Sequence, residues 1–322
     1  MKIGVAGQGA FGVKHLEALG NIPGIEVITL TGGNQVATAE VAKRFKIPHW
    51  TGDLSESLRQ PGLEAMILAT PTGMHANQGV ACMRAGKHVH IEIPIADSLA
   101  DSERLVKVQK ETGVVCMGGH TRRFNPSHQY VHKKIKAGEL KVQQMNVQTY
   151  FFRRTNMNAA GQPRSWTDHL LWHHACHTVD LFQYQTGELV SDCYAVEGPL
   201  HPELKIAMDL GIVMKVPSGA ICTLSLSFNN KGPIGTFFRY ICDNGTYIAH
   251  YDDLIDGEQK KIDLSGVAVS MNGIELQDRE FFAAIKEGRE PNASVQQCVT
   301  AMRVLDRLER ILHSTTKAQA VV

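Results

Sequence analysis

Apolar and polar positions follow two rhythms along the chain, and the change falls near residue 124. Before it, the apolar runs KIGVA (2–6), IEVITL (25–30), AMILAT (65–70), HVHIEI (88–93) and VVCMGG (114–119) predict strands. Helical spacing fills the gaps at 10–20, 35–46, 73–85 and 98–111. Strands this apolar, separated by helices, imply a parallel sheet covered on both faces, with ligands beyond the strands' carboxyl ends. After residue 124 the runs KVQQMNVQTYFFRR (141–154), LKIAMDLGIVMKV, ICTLSLSF, TFFRYICD and TYIAHYD alternate only in part and are joined by turn signals. The Asp243-Asn244-Gly245 turn between two of them predicts a hairpin. The fold class is therefore α/β: an N-terminal parallel-sheet domain over 1–122, then a C-terminal α/β domain over 123–322 with a large, mostly antiparallel sheet. Helical patterns at 277–288 and 294–313 close the chain and are able to pack back on the first domain. Repeats and low-complexity linkers are absent from the sequence.

Composition narrows this picture. With 322 residues, 43% hydrophobic and 20% charged, the chain reads as a globular protein large enough for two cores. A net charge of +1 provides no global field for nucleic acid or an anionic membrane, so any recognition of charge is local. The opening MKIGVAGQG is already a strand and turn, which predicts no signal or transit peptide, and no apolar run approaches a membrane span. Cys82, Cys116, Cys176, Cys193, Cys222, Cys242 and Cys298 stand singly, which favours reduced thiols in a cytoplasmic protein.

The first chemical signal is GQGAFG (7–12), directly after a strand and opening a helix. Gly7, Gly9 and Gly12 have GxGxxG spacing, with Ala10 and Phe11 between them. Their tasks are a tight turn, close backbone approach to a pyrophosphate, and close helix packing. The helix start adds free N–H groups and a positive dipole end. An NAD site usually closes its second strand with an acid for the ribose hydroxyls. Here that position is Thr31-Gly32-Gly33-Asn34, where nothing repels a 2′-phosphate, so NADP is favoured and NAD is the weaker alternative. Lys43 and Arg44 are available as supplements.

GQGAFG, ATPTGMH (69–75), AGKHVHIEIP (85–94), GGHTRRFNP (118–126) and HTVDLFQYQTG (177–187) together resemble the ordered motifs of the glucose–fructose oxidoreductase/inositol dehydrogenase (Gfo/Idh/MocA) family. The resemblance implies an N-terminal Rossmann dinucleotide-binding domain, hydride transfer to a bound nicotinamide, and a homo-oligomer, dimer or tetramer, formed through the open sheet of the C-terminal α/β domain. It also implies that Thr70, Pro71 and His75 face the cofactor and that Glu92 stands near the nicotinamide. The family's E-K-P lysine is replaced by Ile93, between Glu92 and Pro94. Its usual D-x-G-x-H becomes His173-His174-Ala175-Cys176-His177, so His177 matches the base histidine and His173 replaces the acid.

His169, His173 and His177 recur every four residues in SWTDHLLWHHACHTVDLF (165–182), with Asp180 one turn further. On an α-helix this spacing puts them on one face. Three readings fit: a general base with its supports, metal ligands, or hydrogen-bonded structural imidazoles. No HExxH-like arrangement accompanies them, so we expect no metal. His174 turns to another direction, and Cys176 reads as packing rather than as a thiol nucleophile. Among Arg122, Arg123, Arg153, Arg154 and Arg164, the first pair and Arg164 are the candidates for gripping carboxylates, with His169 beside the substrate; Asn229 and Asn230 are weaker ones.

An alcohol that gives up hydride must also lose its hydroxyl proton. A chain with neither the family lysine nor a thiol nucleophile suits an unusually acidic hydroxyl. More narrowly, the Glu92-Ile93-Pro94 loop, the WHHACH segment (172–177) and the acid-free second strand resemble a branch of the family from aromatic (protocatechuate) catabolism, which implies as substrate a small dicarboxylate semialdehyde, closed on itself as a cyclic hemiacetal and oxidised to a lactone. His177 would take the proton, with His173 orienting it or sharing it. A sugar or polyol dehydrogenase and a non-catalytic NADP sensor are the alternatives.

Overall fold

The computed structural model describes residues 1–157, 161, 163, 164, 166–266 and 273–319. Its contacts divide the chain into two units, Met1–Thr121 with Gly273–Val299 and Arg122–Asn272 with Thr300–Val322. The stretch after residue 273, adjoining in sequence the second unit's strands, thus returns to the first unit.

In the first unit the strands are β1 (Lys2–Ala6), β2 (Glu26–Thr31), β3 (His49–Thr51), β4 (Leu63–Leu68), β5 (His88–Ile91) and β6 (Cys116–Gly118). The helices between them are α1 (Ala10–Leu19), α2 (Gln35–Arg44), α3 (Leu54–Leu58), α4 (Thr72–Arg84) and α5 (Leu99–Thr112). The sheet order is β3-β2-β1-β4-β5-β6 and the pairings are parallel. Ile3, Val5, Leu30, Met66, Ile67, Leu68 and Ile91 are fully buried, as strands covered on both faces require. The order in which strands are added reverses between β1 and β4, the place where this architecture opens a ligand crevice. Helix α5 starts where the Ser98 hydroxyl accepts from Asp101 N–H and stops at Gly113, whose φ of 70° is left-handed. The short β3 and α3 carry too little periodicity to be read from the sequence.

The second unit is built on β7 (Val142–Tyr150), β8 (Asp192–Glu197), β9 (Asp209–Lys215), β10 (Ile221–Ser227), β11 (Gly235–Cys242), β12 (Gly245–His250) and β13 (Asp253–Asp256). Its order is β13-β12-β11-β7-β10-β9-β8; β7 and β10 pair in parallel and the other pairs are antiparallel. The hairpin turn closes with Cys242 opposite Gly245. Helices α6 (Pro126–Lys136) and α7 (Cys176–Thr186) contact this sheet. Alternate side chains of β8 and β9 are buried (Cys193, Ala195, Ile212, Met214), while Tyr194, Val196 and Val213 stay exposed, so the sheet is one-sided there. Two helices follow: α8 (Ile274–Glu287), which packs on α1 in the first unit, and α9 (Val295–Gln319).

Candidate active site

The glycines of the first turn divide their work visibly. Gly7 has φ of 118°, and a Cβ on it would stand 2.3 Å from Ala69 O, so only glycine fits. A Cβ on Gly12 would fall 1.8 Å from Gly7 O, which is why α1 can lie against its own entry turn. Gly9 is the reverse case: it is exposed, caps α1, and no atom lies within 4 Å of its Cβ position. Open space in front of a helix start is what a pyrophosphate needs, so the residues present fit a dinucleotide. Ala10 and Phe11 are exposed beside it, and the first turn of α1 carries no acid.

At the end of β2, Gly33 and Asn34 are exposed, and Asn34 caps α2 by accepting from Ala37 N–H at 3.0 Å. Thr31 requires a correction. Its hydroxyl is buried and bonds the Ser57 hydroxyl at 2.7 Å, so it does not point outward to meet a phosphate. Gly32 is also buried, packed by Thr38 and Gln8. Of the two supplementary cations, Arg44 pairs with Glu17 at 2.7 Å and Lys43 stays exposed.

Thr70 and Pro71 are partly exposed after β4, with the Thr70 hydroxyl donating to Gln78 at 2.6 Å. His75 is corrected as well. It is only 1% exposed, and its ring spans two carbonyls, Thr70 O at 2.7 Å and Pro94 O at 2.8 Å. It therefore ties two loops together instead of facing a ligand. Burial lowers its basicity more than the carbonyls raise it.

Glu92 has unforeseen company. It is 8% exposed and accepts from His15 Nε2 at 3.0 Å and from Gln277 Nε2 at 3.4 Å. His15 Nδ1 faces Asp278 Oδ2 at 2.9 Å. Burial opposes the charged imidazole, yet the two carboxylates lift His15 to about 10, and the same contact keeps Glu92 below its usual range against its own desolvation. His15, His90 and Asp278 bring ligand-type atoms within 4.8 Å of one another. Because both His15 nitrogens already face carboxylate oxygens, the geometry suits an imidazolium better than a metal ligand. Ile93, next in the chain, is partly exposed and offers no proton group.

In the second unit the histidine stretch departs from one α-helix. Leu170–Ala175 forms a π turn, α7 begins only at Cys176, and His169 lies before both with extended φ −125° and ψ 162°. A π turn closes i→i+5 bonds instead of i→i+4, so spacing by four no longer implies one shared face. His169 is thus off the helix. His169 N–H donates to His173 Nδ1 at 3.2 Å, the two rings meet edge to face at 4.8 Å, and Trp166 stacks on His173 at 5.3 Å. Burial, with His169 beside it, brings His173 down to about 3. Such a ring is uncharged near neutrality. His177 is partly exposed in the first turn of α7.

Asp168 organises the cations and was not among the sequence candidates. It binds Arg153 through a short contact, Arg164 Nη1 at 3.0 Å and His174 Nε2 at 3.1 Å. Burial would raise its pKa, but His174 and Arg153 hold it well below the carboxylate range. Two guanidiniums share this one carboxylate, leaving positive charge over for an anion. Arg122 and Arg123 behave differently from substrate arginines. Arg123 is 5% exposed and pairs bidentately with Asp180, and Arg122, 7% exposed, lies over the Tyr251 ring at 5.0 Å. Both are interior groups of this unit. Cys176 is fully buried, which fits packing. Asn229 binds Asp209 at 2.7 Å, and with Asn230 it lines a hollow of about 630 Å³ on the sheet.

One unit with a parallel dinucleotide-binding sheet and another with a one-sided mixed sheet define a class, and comparison with known sequences agrees. Residues 1–120 match the oxidoreductase family with an NAD-binding Rossmann fold, and residues 126–268 match the bacterial oxidoreductase C-terminal domain. The chain belongs to the Gfo/Idh/MocA family of oxidoreductases. It is similar to 4-carboxy-2-hydroxymuconate-6-semialdehyde dehydrogenase of Sphingobium sp. (strain NBRC 103272 / SYK-6), 64% identical over 309 residues, 96% of this chain and 98% of that protein. Inositol 2-dehydrogenase 2 of Paenarthrobacter aurescens (strain TC1) is 23% identical and covers 98% of each chain. Levoglucosan dehydrogenase in complex with NADH has a like fold, with a TM-score of 0.88, 20% identity and coverage of 98% and 97%. No helix among the described residues is long and apolar enough to cross a membrane.

Proposed function

We propose that the protein oxidises 4-carboxy-2-hydroxymuconate-6-semialdehyde, in its cyclic hemiacetal form, to 2-pyrone-4,6-dicarboxylate with NADP⁺. The observation that carries this reading is the 64% identity to the Sphingobium dehydrogenase across nearly the whole of both chains. Two features of this chain support it. Arg153 and Arg164 share the single carboxylate of Asp168, which leaves charge for a dicarboxylate. Ile93 stands where a proton-handling lysine would otherwise serve a weakly acidic alcohol.

The cofactor is held by the Gly9 opening and the start of α1, with Thr70 and Pro71 at the end of β4 and Glu92 at the end of β5. Bound nicotinamide supplies the hydride acceptor. His177 takes the proton of the anomeric hydroxyl while that carbon loses hydride and becomes the lactone carbonyl. His173 orients. The preference for NADP rests on Gly33, Asn34 and Lys43, exposed where no acid closes β2. Cytoplasmic location and a homo-oligomer complete the reading.

The test incubates the protein with the ring-cleaved semialdehyde and either NADP⁺ or NAD⁺, identifying the product by mass spectrometry. Lactone with NADPH is the expected result. Turnover of inositols or other sugars in place of the semialdehyde would defeat the proposal.

A further inference from the structure

Glu92 is held from behind by a chain of buried groups that no step above uses. Its Oε1 takes both bonds, from His15 and from Gln277. Gly119 leaves the room the carboxylate fills, because a Cβ there would stand 2.7 Å from Oε1. Behind His15 is Asp278, and the side chains of His15 and Asp278 have no exposure, while that of Glu92 retains 11%. The chain Asp278–His15–Glu92 therefore has one end in the interior and one at the carboxyl end of β5.

Its charge does not cancel. Two carboxylates share one imidazolium, and the other groups facing them add nothing. His90, 3.5 Å from Asp278, is pushed by burial down to about 4, and His75 is lowered likewise. One negative charge is left over, and Glu92 is the only member that reaches the outside. A fixed carboxylate costs less when a cation comes to it than when a neutral ring does.

We propose that His15, backed by Asp278, is a positioning residue that keeps Glu92 fixed as a carboxylate, so that this end of the sheet prefers the cationic oxidised nicotinamide to the neutral reduced one. The proposal rests on the reading above that Glu92 borders the nicotinamide. It gives a dehydrogenase working toward oxidation a means to take up its cofactor and release it once reduced.

The experiment measures equilibrium binding of NADP⁺ by calorimetry and of NADPH by fluorescence, with NAD⁺ and NADH alongside, from pH 6 to 9. The full chain is compared as wild type, Glu92→Gln, His15→Gln and Asp278→Asn, with thermal melts of each. Glu92→Gln is expected to weaken the oxidised form roughly tenfold and the reduced form less than about twofold. In wild type the ratio of the two affinities stays flat with pH. In His15→Gln it falls as pH drops from 9 to 6, because Glu92 without its imidazolium takes up a proton; Asp278→Asn shifts the same way and carries the test should His15→Gln not fold. If Glu92→Gln leaves both affinities unchanged, it is the cofactor reading of β5 that fails. If Glu92→Gln abolishes the preference but the ratio in His15→Gln and Asp278→Asn stays independent of pH, the cofactor reading stands and the role of His15 is overturned. Equal weakening of both forms at every pH makes His15 merely structural and also overturns it.

Discussion

Arg123 grips Asp180 through two parallel bonds, Nε to Oδ2 at 2.8 Å and Nη2 to Oδ1 at 2.6 Å, with side-chain exposures of 5% and 1%. A pair this dry is a structural clamp between the segment before α6 and the middle of α7. Removing one partner strands the other charge in the interior, which typically costs about 3–5 kcal/mol. Asp180→Asn and Arg123→Met are each expected to lower the urea midpoint steeply, and the double replacement Arg123→Met with Asp180→Leu to recover much of that loss. An additive loss in the double variant would mean that the two side chains do not act as a pair.

The glycine turn makes a sharper contrast, because the same change has opposite consequences three residues apart. Gly12→Ala puts a methyl 1.8 Å from Gly7 O, so α1 must move and the melting temperature should fall by several degrees. Gly9→Ala meets no atom within 4 Å and should leave the melt unchanged. It should nevertheless weaken NADP⁺ by an order of magnitude or so, since the methyl fills the space that a pyrophosphate needs. Unchanged NADP⁺ affinity in Gly9→Ala would place the phosphates elsewhere.

Features written within one short segment could be read before the structure. The β1–GxGxxG–α1 entry, the acid-free end of β2 and the Asp243-Asn244-Gly245 hairpin are of this kind, because strand period, glycine spacing and turn chemistry are local. Spacing by four was converted to direction with the pitch of an α-helix, whereas Leu170–Ala175 winds as a π turn and His169 is extended, although the His169 and His173 rings still meet. Nothing in the residue types there announces the wider turn. The partners of Asp168 and Glu92 were hidden for another reason: Arg153 lies 15 residues from Asp168, and His15 lies 263 from Asp278. Only the chain's closure in space brings such groups together. Arg164, four residues before Asp168, was the one member a reader could have paired.

The Asp168 cluster predicts how the substrate's charge is felt. Arg164→Gln removes one guanidinium from a carboxylate that keeps Arg153 and His174, so folding should be little affected. KM for the dicarboxylate should rise roughly tenfold or more with kcat changed far less, the loss expected of one charged hydrogen bond. Asp168→Asn frees both guanidiniums and should lower KM while costing stability. Steady-state kinetics on purified variants decide this, and a KM in Arg164→Gln equal to wild type would remove these arginines from substrate binding.

His15 gives the fold an alkaline weakness whose sign follows from its lifted pKa. The folded value of about 10 stands above the ordinary 6.5, so its contribution is fully present below 6.5 and is lost as pH rises through about 10. Linkage makes that contribution about 5 kcal/mol at most. Glu92 acts in the opposite sense: its lowered pKa stabilises above the usual carboxylate range and is lost as pH falls. Urea midpoints should therefore decline from pH 7 to pH 10 more steeply in wild type than in His15→Gln. Parallel declines would show that the imidazole is not charged in the folded state.

The last prediction separates two histidines that the sequence treats alike. His173, held near 3, is neutral at every working pH, with Nδ1 occupied by the His169 N–H. It cannot produce an ionisation in a pH–rate profile. His177, at the head of α7 and partly exposed, is the proposed base. His177→Ala should lower kcat by about 10²–10⁴, the range for a missing general base, and erase the acid limb of kcat/KM. His173→Asn keeps a donor and acceptor of similar reach and should lower kcat much less, leaving the limb in place. Ile93→Lys then asks whether the hydroxyl needs further help. On an anomeric hydroxyl already acidic enough for one imidazole, a second proton group adds nothing, so turnover of the semialdehyde should stay level. A large gain with Ile93→Lys, or a near-normal rate in His177→Ala, would mean that the substrate is an ordinary alcohol or that its proton leaves by another route.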